Sequence, residues 1–128
     1  MRPLPLLLSA FLLAAPAAAQ DWPSAAEYDV LLTSFEIQPR VIHLKAGEPV
    51  RLRFINNSEV RHVFSAPDFF RAAELRGRDR RLVKGGALAV EPLSDVTLAF
   101  VPKAGRYEAR GDNLFRRVLG MRARIVVE

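Results

Sequence analysis

The chain has 128 residues, half of them hydrophobic, no cysteine and a formal net charge of +5. That length holds one domain, and the missing thiol excludes disulfides, cysteine-linked lipid and thiolate metal ligands. The basic excess is mostly arginine, with Lys45, Lys84 and Lys103 as its lysines, and it is too sparse to argue for nucleic acid.

Residues 1–19 read as a secretory signal peptide. Arg2 gives the positive end, Leu6–Ala15 the apolar run, and Ala17 and Ala19 the small residues ahead of a cut before Gln20. The apolar run is short for a membrane span, and no later segment is apolar enough to cross a bilayer. The mature chain is therefore expected to be exported and periplasmic, with residues 20–27 as a tether and a domain over 28–128.

Period-two alternation starts at Tyr28. Leu31, Thr33, Phe35 and Ile37 are assigned to one strand face. After Pro39, Ile42 and Leu44 oppose Val41, His43 and Lys45. AGEP (Ala46–Pro49) is a turn, and Val50, Leu52 and Phe54 then alternate with Arg51, Arg53 and Ile55. Asn56-Asn57-Ser58 closes that strand, and a short one follows over Val60–Ser65. PDFFRAAELR (Pro67–Arg76) has proline at a first helical position and no β-branched residue, which predicts a short helix. Arg76–Arg81 reads as a charged connector and Gly85-Gly86 as a turn. Strands return over Leu88–Glu91, Val96–Val101 and Arg106–Arg110, the last after the turn Pro102–Gly105. Met121, Ala123, Ile125 and Val127 share the inner face of the final strand. Seven or eight short strands with turns between them, plus one short helix, predict an all-β Greek-key sandwich or barrel.

Three stretches in this order resemble the cupredoxins, the blue copper domain family. FEIQPRVIHLKAGEPVRLRFINNSEVRHVF is similar to the front half: a strand, an AG-x-P turn, a strand ending in Asn, then His before x-Phe. VPKAGRYEARGDNLFRRVLGMRARIVVE is similar to the back half, and SAPDFFRAAEL to an insert of an exported bacterial subgroup, the kind grouped with periplasmic iron-uptake cupredoxins. The resemblance covers nearly all of the mature chain. It implies a two-sheet sandwich and a mononuclear copper held by two histidines, a cysteine and a weak axial methionine. Carried over by position, the first histidine is His62 and the methionine Met121. The cysteine position falls at Gly111. The second histidine position falls at Phe115–Arg116, with Arg116 the better match. A type 1 copper depends on its thiolate, so the resemblance implies a degenerate site and no such cofactor.

Each candidate residue also has a plainer account. His62 and Met121 could hold Cu(I) as a soft pair, or His62 could be a histidine kept at the sandwich end and Met121 a core filler. His43 falls on an outward face. Glu36, Asp68 and Glu74 could serve a hard ion, but their spacing is that of solvated charge. In GDNLFRRVLG, Asp112 or Asn113 could cap a helical turn ended by Gly120, with Leu114, Phe115, Val118 and Leu119 covering the core. Arg61, Arg110, Arg116 and Arg117 would then form a rim able to meet an anion or a partner, or simply a solvated basic edge with Arg116 paired to Asp112 or Glu108. No GxSxG, HExxH or phosphate-binding glycine loop occurs, so no enzyme is expected. The function expected is a non-redox accessory module for an envelope protein or small anion; the alternative is weak copper or iron handling through His62 and Met121.

Overall fold

A computed structural model of the chain describes residues 20–111 and 121–128. The first strands are β1 (Ala26–Leu32), β2 (Ile37–Gln38), β3 (Val41–Leu44), β4 (Val50–Asn56) and β5 (His62–Ser65). After helix α1 (Pro67–Ala72) come β6 (Glu74–Leu75), β7 (Val83–Lys84), β8 (Ala87–Val90), β9 (Asp95–Val101), β10 (Gly105–Arg110) and β11 (Arg122–Val127). They form two sheets, one ordered β2-β1-β4-β9-β6 and the other β3-β11-β10-β5-β8-β7. Eight of these strands have four or more residues, which meets the expected count; the two-residue strands extend sheet edges.

Alternation delivers the core. Val50, Leu52 and Phe54 of β4 are buried, as are Leu98 and Phe100 beside them on β9. Facing them from the other sheet are Ile42, Phe64, Leu88 and Ile125. Full burial of each such side chain contributes about 1.5–3 kcal/mol. Two pairings are parallel, β1 with β4 and β3 with β11, so strands distant in sequence lie side by side. Phe69 of α1 joins the sheets through aromatic contacts, with ring centroids 5.3 Å from Phe100 and 5.4 Å from Tyr107.

Local expectations need correction at several points. The face assigned to Leu31, Thr33, Phe35 and Ile37 is out of phase: Val30 and Leu32 are buried, and Phe35 is exposed. The reason is a turn. Thr33 N–H donates to the Glu36 carbonyl at 2.9 Å, Glu36 N–H donates to Thr33 Oγ1 at 3.1 Å, and the chain reverses so that Leu32 and Ile37 become ladder partners. Periodicity does not run through a reversal.

The helix is shorter than Pro67–Arg76. It ends at Ala72, Ala73 is extended, and Glu74 and Leu75 pair with Val101 and Phe100 of β9. Nor is 76–81 a bare connector, because Gly77–Leu82 is a 3-10 segment with Asp79 buried. Arg76 N–H donates to the Ala99 carbonyl at 2.8 Å, and Ala99 N–H donates to Asp79 Oδ2 at 2.9 Å. A side-chain carboxylate thus takes the place of a strand along the edge of β9, covering groups that would otherwise invite another chain. Arg76 holds the same oxygen at 2.8 Å. The domain's first strand begins at Ala26, inside the segment read as tether, after a 3-10 turn at Trp22–Ser24.

Candidate functional site at one end of the six-stranded sheet

β5 carries His62 and Phe64 on its inner face, and both are fully buried. His62 is the ladder partner of Val90 and Phe64 that of Leu88 on β8. β10 lies on the other side of β5, with Arg110 opposite Ser65. Ala109 and Gly111 are buried, and so are Met121, just before β11, and Ala123 on it. Gly111 N–H donates to the Met121 carbonyl at 2.8 Å, carrying the β10–β11 pairing one step beyond the ladder. His62, Gly111 and Met121 therefore share the inner face at one end of this sheet.

Asn56 fixes that end. It is the last residue of β4, 1% exposed. Its Nδ2 donates to the carbonyls of Val60 at 2.8 Å, Val90 at 3.0 Å and Glu91 at 3.1 Å. Its Oδ1 accepts from Ser58 N–H at 3.0 Å and Ser58 Oγ at 2.7 Å. One amide so ties the end of the five-stranded sheet to both chain segments that flank His62. Sequence reading saw only a strand closing at Asn-Asn-Ser. The available signal was an Asx-type turn, Asn followed two residues on by Ser.

The other candidates do not converge on the inner face. Arg61 is exposed and its Nε donates to Glu91 at 3.1 Å. Arg110 projects from the outer face of β10, opposite in parity to buried Ala109, and its Nη2 donates to Glu108 at 2.6 Å. That bond, then the charge of Arg110, holds the Glu108 carboxyl below the ordinary glutamate range. So Glu108, one of the partners considered for Arg116, is engaged by Arg110. Arg116 and Arg117, with the rest of 112–120, lie outside the described residues. His43 is exposed on β3, as expected.

Glu36 accepts from Gln38 at 3.0 Å and from Arg40 at 3.4 Å. The Gln38 bond first, then the charge of Arg40, lowers its pKa. Asp68 pairs with Arg71 at 3.3 Å, and Glu74 is exposed on β6. Among the described residues no group of three or more His, Cys, Asp or Glu side chains is placed to hold a metal ion. The chain has no cysteine, so it lacks the thiolate on which a type 1 copper depends.

The two sheets, the one short α-helix among the described residues and the order of the strands define a cupredoxin-like Greek-key β-sandwich. A solved structure of auracyanin B, a cupredoxin, is similar to this chain, with a TM-score of 0.55 and 19% identity over 81% of this chain and 89% of that one. At that identity the likeness is one of fold. No protein-family model matches the sequence, and no curated protein matches it. No helix among the described residues is long and apolar enough to cross a membrane.

Proposed function

We propose that this chain is an exported, periplasmic accessory module that keeps the cupredoxin frame without type 1 copper chemistry. One observation carries the reading: the chain keeps the cupredoxin-like sandwich and has no cysteine, and the sequence resemblance puts Gly111, a buried glycine, at the thiolate position. What Gly111 contributes is a backbone N–H to Met121, a structural bond rather than a ligand. Catalysis is not part of this reading, since the sequence carries no nucleophile or acid–base motif. Export rests on the leader over 1–19, with the mature chain starting at Gln20.

The test is spectroscopic. Purified mature protein titrated with Cu(II) is expected to show no intense thiolate-to-copper charge-transfer band; that band would end the proposal. Metal analysis of protein isolated from copper- or iron-fed cells addresses the handling alternative. Stoichiometric metal that disappears in both His62→Ala and Met121→Leu would establish handling and sink the accessory reading. Met121→Leu conserves volume, so it separates ligation from packing.

A further inference from the structure

Both outer faces of the sandwich carry arginine–carboxylate pairs, but in different proportions of cation to carboxylate. On the five-stranded sheet the outward arginines of β4 have carboxylates as ladder neighbours, Glu27 opposite Arg51 and Asp29 opposite Arg53. Arg51 meets Glu27 at 3.2 Å, and Arg53 meets Asp95 of β9 at 3.1 Å. That face is balanced.

On the six-stranded sheet one row of ladder partners crosses five strands as Lys84, Ala87, Ser65, Arg110 and Arg122. Cations stand at both ends and small side chains lie between. Arg110 and Arg122 are directly opposed, and the Glu108 carboxylate, bonded to Arg110 at 2.6 Å, lies in the field of both. Around them a groove of about 340 Å³ is lined by Arg40, Arg110, Arg122 and Arg124, with Glu108 as its one carboxylate. At the other end of the row a second groove of about 300 Å³ is lined by Arg61, Arg81 and Lys84 over a floor that includes Ala87 and Ala89.

Strands are about 4.8 Å apart, so the row from Lys84 to Arg122 spans four steps, about 19 Å. No single small anion bridges that distance, whereas about six residues of extended polypeptide do, at about 3.3 Å each. Arginine forks at one end suit carboxylates, and the small floor leaves room for a main chain to lie flat. A lipid surface fits less well, because the exposed aromatics among the described residues, Tyr28 and Phe35, belong to β1 and the turn after it rather than to this face.

We propose that the outer face of the six-stranded sheet is the docking surface for an extended acidic segment of a partner protein. Its carboxylates engage Arg110 and Arg122 at one end and Lys84 at the other. The inference rests on the accessory-module reading, whose partner it specifies, and it can fail separately, since copper silence is read by absorbance and docking by binding.

The probe is a fluorescent peptide of alternating glutamate and serine, followed by anisotropy at about 50 mM salt and again at higher salt, where screening should weaken it. Arg110→Gln/Arg122→Gln is expected to weaken binding about tenfold or more, and Lys84→Gln about two- to fivefold. The charge-matched control Arg51→Gln/Arg53→Gln, on the other sheet, is expected to change it less than about twofold. Thermal unfolding of each variant verifies that it is folded. Three results each overturn the proposal: no peptide binding at low salt, equal losses in the two double variants, or binding only to inorganic phosphate or to anionic phospholipid vesicles.

Discussion

Replacing Asn56 with aspartate keeps the outline of the side chain and exchanges its donor for a charged acceptor. In the native protein Nδ2 serves three carbonyls within 3.1 Å; in Asn56→Asp a carboxylate oxygen would face those carbonyls in a site 1% exposed. Burying a charge against acceptors is worse than leaving the carbonyls unserved. We expect Asn56→Asp to lose about 3 kcal/mol or more of unfolding free energy at neutral pH, exceeding Asn56→Ala. The gap between the variants should narrow on acidification, as the new carboxyl becomes neutral and regains a donor. Urea titrations at two pH values measure this, and an aspartate variant as stable as the parent would show that the amide is not the tie between sheets. At this scale the sequence is uneven: His62 stands out by type and context, whereas Asn56 and Asp79 are ordinary surface residues until the fold buries them.

Where α1 begins, the chain passes close to the turn between β7 and β8. Gly86 has φ +73°, and a Cβ built on it would lie 2.4 Å from Pro67 Cα. Ala66 N–H also donates to the Gly86 carbonyl at 2.9 Å, so the helix start is fastened to this glycine. Gly85, at φ +58°, has nothing within 4 Å of the same construction. The neighbours thus predict different outcomes. Gly85→Ala should cost only the left-handed conformation, about 1 kcal/mol. Gly86→Ala adds a clash with backbone that cannot swing aside, for a total of about 2–4 kcal/mol. Equal shifts in Tm would mean that the Pro67 contact carries no strain.

Elements were legible where a strand stays straight with one face buried, as in β3, β4 and β11. Legibility ended where the chain reverses at Thr33–Glu36, and where a helix turn gives way to the edge pairing of Glu74 and Leu75. Hydrophobic period reports which way a side chain faces; it carries no mark of where a turn resets the count.

At the scale of the molecule the decisive quantity is charge and where the ladders put it. The missing thiol could be read by counting residues. The basic outer face could not, because Lys84, Ser65, Arg110 and Arg122 become neighbours only through pairings among five strands. With a net charge of +5, the folded protein is self-repelling at neutral pH, and acid makes it more so. Glu36 and Glu108 both have lowered folded-state pKa values. Their contribution is therefore complete above the ordinary glutamate range and fades as pH falls through the lower folded-state values; both groups are solvent-exposed, so it is small. The larger loss comes from the growing excess of positive charge, since every arginine stays charged as acid removes negative charge from the surface. We expect Tm to drop by about 10 °C or more between pH 7 and pH 3, each kcal/mol being about 4–8 °C in a domain of this size. Adding about 0.3 M sodium chloride at pH 3 should recover part of the loss by screening the repulsion. Calorimetry at both pH values, with and without salt, decides the matter: a Tm that salt leaves unchanged at pH 3 would mean that the acid loss does not come from the repulsion of the arginine-rich face.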